Sequence, residues 1–164
     1  VDGVWSNTYN TLDETTTDAG GRFLFSFENR TAIDYRLNFA KTNYFSSEVT
    51  VNADNLNTAT TYDDSYDLFS KAWFNVRVVN VNPFDGADNL IYQQTRGVGD
   101  CGFCCDNDQH SYLGMTVDVT STCQLYGSQW VKYDYFVSKD SQQYAFADSV
   151  FVTPGDTTFA VVSY

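Results

Sequence analysis

Apolar and polar residues alternate along most of the chain, so that short runs carry an apolar side chain at every second position. A period of two places these side chains on one face of a β-strand, because successive side chains point to opposite sides of the strand. No segment sustains a period of 3.6, so the pattern predicts strands and little helix. The predicted strands are residues 22–27, 34–40, 45–51, 73–81, 90–94, 115–119, 130–137, 143–152 and 157–164.

The inward faces of these strands predict the core. In the first half of the chain the apolar side chains at period two include Phe23, Phe25, Leu37 and Phe39. In the second half they include Phe74, Val76, Tyr133 and Tyr135. Aromatic and β-branched residues favour the half-buried surface of a sheet, which strengthens the all-β prediction.

Turn signals separate the strands every eight to twelve residues, which is typical of β-sandwiches and barrels. The polar stretch 52–64 has no period and is predicted to be a connection, and residues 96–111 are predicted to be a loop. We expect two packed β-sandwich modules, at residues 1–65 and 71–164. A module of about 65 residues is marginal alone, so we expect the first to pack against the second.

Two sequence motifs in the first half of the chain resemble those of a known family. Residues 17–23 read T-D-x-x-G-x-F, and residues 35–39 read Y-x-L-x-F before a K-x-x-Y corner at 41–44. Over roughly residues 1–53 the chain resembles the carboxypeptidase regulatory-like domain, a transthyretin-like β-sandwich. Residues 72–74 and 80–85 resemble an immunoglobulin-like partner domain in many surface proteins of the Bacteroidota. The resemblance implies secretion and a sandwich fold, and it carries over no catalytic residue.

The chain departs from this family at its beginning, because Val1 to Trp5 lie inside the turn that follows the family's opening strand. The resemblance therefore implies an open sheet edge, which is a liability unless something fills it. We expect the edge at Val4, Trp5, Thr8 and Tyr9 to take a strand from another copy of the chain. Residues 157–164 are the candidate donor, and the alternative is that they pair within their own module.

The acidic composition limits the partners. The net charge is −12, from 21 acidic and 9 basic residues. Phosphate binding needs clustered Lys and Arg, so nucleic acid is not an expected partner. The acidity indicates either solubility or divalent cation binding at acidic loops. No stretch of about 18 apolar residues occurs, so we expect no transmembrane segment.

Four cysteines occur in the sequence, at Cys101, Cys104, Cys105 and Cys123. An even count in such a chain indicates disulfides in an oxidising compartment, with three possible pairings. The sequence does not match the haem-attachment motif C-x-x-C-H, because a cysteine stands at the position where the motif needs histidine. Zinc binding lacks a second cysteine pair, and a redox motif lacks its helix. Closing a loop such as Cys104 to Cys123 stabilises the fold by about 3 kcal/mol.

The sequence does not predict an enzyme. His110 is its single histidine, and Asp63, Asp64 and Asp67 lie in a connection where aspartate favours turns. Asp85, Asp88, Asp106 and Asp108 supply oxygen atoms for calcium, but their spacing is not that of an EF-hand. We expect no metal and no cofactor.

Function follows from these expectations. The open edge favours a secreted or cell-surface structural protein, a subunit of an assembly or filament held by β-strand contacts between copies. The alternative is a cell-surface binding module for glycan or protein. Its three tryptophans, Trp5, Trp73 and Trp130, would supply a stacking platform, although aromatics at strand period are more often core.

Overall fold

The computed structural model of the protein describes residues 8–28, 32–57, 62–97 and 104–164. Within these ranges it contains nine strands and one short helix, which confirms the all-β prediction. The elements are β1 Asp34–Phe39, β2 Ser47–Asn52, α1 Ala53–Asn57, β3 Lys71–Val79, β4 Asn89–Arg96, β5 Gln109–Leu113, β6 Asp118–Tyr126, β7 Gln129–Lys139, β8 Gln142–Val152 and β9 Thr157–Ser163.

The chain divides into two compact units. Unit 1 comprises Val1–Phe39 and Ser46–Asp67, and unit 2 comprises Ala40–Phe45 and Leu68–Tyr164. Residues 40–45 lie in the first predicted module but group with unit 2. The backbone explains this grouping, because the amide of Phe45 donates to the carbonyl of Phe69 at 2.9 Å.

Unit 1 is built on an antiparallel pair, β1 and β2, in register from Asp34↔Asn52 to Phe39↔Ser47. The short helix α1 follows β2 directly, inside the stretch that we predicted to be a connection. Its start is fixed by Asn52, whose Oδ1 accepts a hydrogen bond from the amide of Asp54 at 2.8 Å. Asparagine is a preferred residue at this capping position.

The predicted strand at residues 22–27 is wrong, because the structure assigns no strand there. The phenylalanines of this segment nevertheless contact β1. The ring centroids of Phe23 and Phe39 are 5.6 Å apart, and those of Phe27 and Tyr35 are 5.1 Å apart. The four residues expected in this core are half-buried rather than buried: Phe23, Phe25, Leu37 and Phe39. The described part of unit 1 holds a single two-stranded sheet, so its sandwich stays a prediction.

Unit 2 contains two sheets that pack face to face. The first has three strands in the order β6-β3-β9, and the second has four in the order β5-β4-β7-β8. Both sheets contribute buried apolar side chains to one core, and the rings of Phe74 and Tyr133 meet in it at 6.0 Å. Phe74, Val76 and Tyr133 are buried as predicted, whereas Tyr135 is half-buried.

Strand β5 was missed, because it begins inside the predicted loop 96–111 and ends two residues beyond it. Its sequence, QHSYL, has no apolar alternation and gave no strand signal. It pairs with β4, where Tyr112 lies opposite Leu90. Pairing with a neighbour in the fold, rather than the local pattern, therefore decides its conformation. The strand that we expected at residues 115–119 begins later, at Asp118.

Candidate functional site

The expected assembly edge is only partly described. Val4 and Trp5 lie outside the described residues, while Thr8 and Tyr9 are described and belong to no strand. Tyr9 packs on β1 through its side chain: its hydroxyl donates to Asp34 Oδ1 at 2.9 Å, and the Arg36 guanidinium lies 3.9 Å from its ring centre. The expected donor strand pairs with β3 of its own chain, from Trp73↔Thr157 to Val79↔Ser163. This is the alternative that the sequence left open.

A disulfide joins Cys105 to Cys123, with the two sulfur atoms 2.00 Å apart. The prediction of at least one disulfide is confirmed, although the loop is closed at Cys105 rather than at Cys104. Cys104 is also disulfide-bonded, and Cys101 lies outside the described residues. Cys105 lies beside β6, since its amide donates to the carbonyl of Gln124 at 2.9 Å, and the bond fastens the segment before β5 to β6.

Two calcium candidates, Asp85 and Asp88, lie in one loop, but the carboxylate of Asp88 already has hydrogen-bond donors within the protein. Its buried carboxylate accepts hydrogen bonds from Asn80 Nδ2 at 2.9 Å and from the amides of Phe84 and Asp85. The ammonium of Lys139 lies 3.7 Å from Asp88 Oδ2, where it supplies a positive charge. Burial raises the pKa of Asp88, yet these hydrogen bonds outweigh it and hold the pKa below its ordinary value.

The other candidates, Asp106 and Asp108, lie just before β5. Asp106 Oδ1 is 3.3 Å from Nε2 of His110, and both side chains are about half exposed. They border a cavity of about 80 Å³ beside the disulfide, which is large enough for a few water molecules. Within the described ranges, no three His, Cys, Asp or Glu side chains converge on one point, and every cysteine is disulfide-bonded.

The most unusual surface of unit 2 lies on β8. The register of the β7–β8 hairpin places Phe146 opposite Tyr135 and Tyr144 opposite Val137. Val137 is buried, so Tyr144 and Phe146 point to the core side of the four-stranded sheet. They are nevertheless 51% and 46% exposed. The facing sheet has three strands against four, and it covers the core side of β8 at one end only: Val152 is buried, whereas Tyr144 and Phe146 near the hairpin turn are exposed.

The three aromatic rings of this surface form a continuous layer. Tyr135 and Phe146 stack at 4.9 Å between ring centres, and Tyr144 and Phe146 follow at 6.4 Å. At one end of the layer Asp148 Oδ2 accepts a hydrogen bond from the hydroxyl of Tyr133. Burial, assisted by Asp148, raises the pKa of Tyr133 to about 12, so this hydroxyl stays protonated at neutral pH.

The three-stranded sheet ends at β9, whose outer edge meets no other strand in the described part of the chain. The amide of Tyr164 donates to Val79, and the carbonyl of Asp156 accepts from Trp73. Backbone polar groups of successive residues in a strand point to opposite edges. Phe159 and Val161 therefore direct their amides and carbonyls to the outer edge of β9. We call this edge, together with Tyr135, Tyr144 and Phe146, the open slot.

A tight turn joins β7 to β8. Asp140 and Ser141 connect β7 to β8 with φ values of 49° and 56°. Two central residues at positive φ form the tight turn whose twist matches a β-hairpin. The turn holds two strands of 11 residues together over their whole length. Sequence alternation predicted β8, but it does not reveal which of its faces another sheet covers.

Comparison with protein families and with curated proteins identified no relative of this chain. No known protein-family model matches the chain, and no curated protein matches it significantly. The likeness to carboxypeptidase regulatory-like domains therefore has no support beyond the motifs that suggested it.

Among the described residues, no helix has the length and apolar character that crossing a bilayer requires.

Proposed function

We propose that the protein is an extracellular structural subunit, and that its unit 2 accepts a β-strand from another copy in the open slot. One observation carries this proposal: the outer edge of β9 meets no strand in the described part of the chain, while Tyr144 and Phe146 on the core side of β8 are exposed. We infer that one added element completes both. A strand added beside β9 pairs with its backbone and covers the three rings. Main-chain hydrogen bonds then supply affinity, while side-chain pockets supply specificity.

Burial of the rings supplies a substantial driving force. Covering the exposed parts of Tyr144 and Phe146 removes on the order of 200 Å² from water, which contributes about 5 kcal/mol. Ordering the added strand and fixing two molecules together oppose this gain. Weak contacts of this kind stabilise an assembly when they are repeated along it. A head-to-tail contact that does not close into a ring produces a filament.

Two features support a position outside the cell. The Cys105–Cys123 disulfide is typical of an oxidising compartment. The motifs at residues 17–23 and 35–44 resemble the carboxypeptidase regulatory-like domain, and residues 72–74 and 80–85 resemble its partner domain in surface proteins of the Bacteroidota. We accordingly propose a secreted or cell-surface protein without catalytic activity that binds copies of itself.

The test compares two substitutions at Val161. Val161→Pro removes an amide that points to the outer edge of β9, and an edge strand tolerates proline there. Val161→Thr keeps the amide and is the matched control. We expect sedimentation and negative-stain imaging at 0.5 M NaCl to show assembly for the wild type and for Val161→Thr, but only 18.5 kDa monomers for Val161→Pro. High salt is needed because copies with a charge of −12 repel each other.

Two results would refute this function. One is a wild-type protein that stays monomeric at millimolar concentration. The other is assembly of Val161→Pro to the same extent as the wild type, with an unchanged melting temperature showing that the variant is folded.

A second candidate function rests on the outer face of the four-stranded sheet. Trp130 and Phe151 form an exposed edge-to-face pair at 5.7 Å, and Phe136 is exposed on the same face of β7. Lys132 and Asp134 lie between these aromatics. Exposed rings beside polar side chains fit a glycan-binding platform. Calorimetry against neutral oligosaccharides tests this function, and Trp130→Ala is expected to abolish any binding heat.

A further inference from the structure

Three polar side chains of unit 2 meet away from bulk water: Asn80, Asp88 and Lys139. Asn80 directly follows β3, Asp88 directly precedes β4, and Lys139 is the last residue of β7. Asn80 is 8% exposed and Asp88 is fully buried, while the side chain of Lys139 is 17% exposed. The fold therefore brings a carboxamide, a carboxylate and an amine from three separate parts of the chain to one place.

The carboxamide of Asn80 lies between the other two groups. Its Oδ1 accepts a hydrogen bond from Nζ of Lys139 at 2.9 Å, and its Nδ2 donates to Asp88 Oδ2 at 2.9 Å and to the carbonyl of Gly114 at 3.2 Å. Because a C=O bond is about 1.2 Å long, Nζ lies within about 4 Å of the carboxamide carbon, Cγ. An amine held this close to an amide carbon needs only a small displacement to attack it.

We propose that Lys139 and Asn80 form an intramolecular isopeptide bond, and that Asp88 transfers the protons of this reaction. A buried Lys–Asp pair alone indicates no reaction, since such pairs also occur for purely structural reasons. Here Asp88 Oδ2 contacts the nitrogen that leaves, and it lies 3.7 Å from the nitrogen that attacks. A neutral lysine amine is a nucleophile toward carbonyl carbon, and a carboxylate beside it acts as general base and acid.

The reaction balances within these three side chains. Lys139 transfers one proton to Asp88, and the neutral Nζ attacks Cγ of Asn80, so that the Nζ–Cγ bond forms as the carbonyl π bond opens. Asp88 donates this proton to Nδ2, the Cγ–Nδ2 bond breaks and the carbonyl re-forms. Nζ loses a second proton through Asp88, and the nitrogen of Asn80 leaves as ammonium. No oxidant, reductant or second substrate is consumed.

The position of the bond gives it a structural effect. Asn80 follows a strand of the three-stranded sheet, and Lys139 ends a strand of the four-stranded sheet, so the bond joins the two sheets covalently. It closes a loop across a sequence separation of 59 residues, which lowers the entropy of the unfolded chain. Each chain reacts once and turns over no substrate. The inference is independent of the open slot.

Mass spectrometry of the reduced full chain tests the bond. We expect the folded wild-type protein to be lighter than its sequence by one ammonia molecule. Trypsin is expected to release residues 78–96 joined to residues 133–164, because the modified Lys139 is no longer cleaved. The joined peptide distinguishes the bond from cyclisation of Asn80 on its own backbone, which releases the same ammonia. An unchanged mass, with separate peptides 133–139 and 140–164 from folded wild-type protein, would overturn the proposal.

Substitutions assign the role of each side chain. Lys139→Arg keeps the positive charge beside Asp88 but removes the nucleophile. Lys132→Arg is the matched control, because Lys132 is an exposed lysine of the same strand. We expect the unreacted mass for Lys139→Arg and the joined peptide for Lys132→Arg. Loss of ammonia from Lys139→Arg would show that the reaction occurs elsewhere and would overturn the proposal.

Asp88→Asn tests the proton transfer, because it keeps the size of the side chain and removes the base. We expect the yield of joined peptide to fall at least about a hundredfold over the same incubation. Circular dichroism establishes that the variant is folded. Wild-type yield from folded Asp88→Asn would remove Asp88 from the mechanism, while the wild-type mass decides the bond whatever the variants do.

Discussion

Single residues in the core of unit 2 determine its stability. Phe74 is fully buried and contacts Tyr133, so Phe74→Ala removes a ring and leaves a cavity. We expect a loss of about 3 to 5 kcal/mol in the free energy of unfolding, measured by urea denaturation. Phe25→Ala is the comparison, because Phe25 is only half-buried in unit 1. An equal or larger loss for Phe25→Ala would contradict this assignment of the core.

The buried carboxylate of Asp88 makes stability depend on pH. Its pKa in the folded protein lies below the ordinary value of 3.8, because Asn80 and two backbone amides donate to the charged form. The stabilisation is therefore complete above about pH 4 and is lost as the pH falls through the folded pKa.

Asp88→Asn tests this dependence, because it removes the titrating group and one acceptor of the network. We expect the variant to be less stable than the wild type at pH 7, and its stability to fall less steeply between pH 4 and pH 2. Thermal melts at a series of pH values measure both. Parallel pH profiles for the two proteins would show that Asp88 does not contribute.

At the scale of elements, the disulfide fastens the segment before β5 to β6. Cys105 and Cys123 are 18 residues apart, and closing a loop of this length stabilises by about 3 kcal/mol. Replacing both with serine is expected to lower the free energy of unfolding by that amount and to leave the far-ultraviolet spectrum unchanged. Replacing both by alanine controls for burial of the serine hydroxyl. A loss below about 1 kcal/mol in both variants would contradict this role.

The elements show which features a sequence pattern predicts. Alternation found β7 and β8, because apolar side chains recur at every second position of β7 and, apart from Asp148, of β8. It missed β5, whose polar sequence becomes a strand only by pairing with β4. It also predicted a strand at residues 22–27. Phenylalanines occupy every second position there, but the segment pairs with no strand in the described structure. Local sequence records a preference for strand, while pairing depends on a partner that is distant in the chain.

The sequence did not predict the open slot, and the assembly edge expected at Val4, Trp5, Thr8 and Tyr9 stays a prediction. An open edge was expected near Thr8 and Tyr9, whereas the structure shows the open slot in unit 2. The residues of the slot, such as Tyr144 and Phe146, have the pattern of ordinary core positions. Their exposure follows from the number of strands in the facing sheet, which no local pattern reports. Disulfide pairing at Cys105 was likewise one of several possibilities in the sequence.

At the scale of the whole molecule, the protein combines an incomplete sandwich with a high negative charge. The charge of −12 repels separate copies at low ionic strength. The proposed assembly therefore requires conditions that screen this charge, and in the proposal the open slot selects which surfaces meet. The central claim is that a strand from another copy pairs with the outer edge of β9.

Amide hydrogen exchange at β9 tests that claim most directly. The amides of Ala160 and Val162 face β3, and we expect them to be protected in both monomer and assembly. The amides of Phe159 and Val161 face the outer edge, so we expect them to exchange rapidly in the monomer and to become protected on assembly. Residue-resolved exchange at low and high protein concentration measures this. Fast exchange of Phe159 and Val161 in assembled protein would contradict the account.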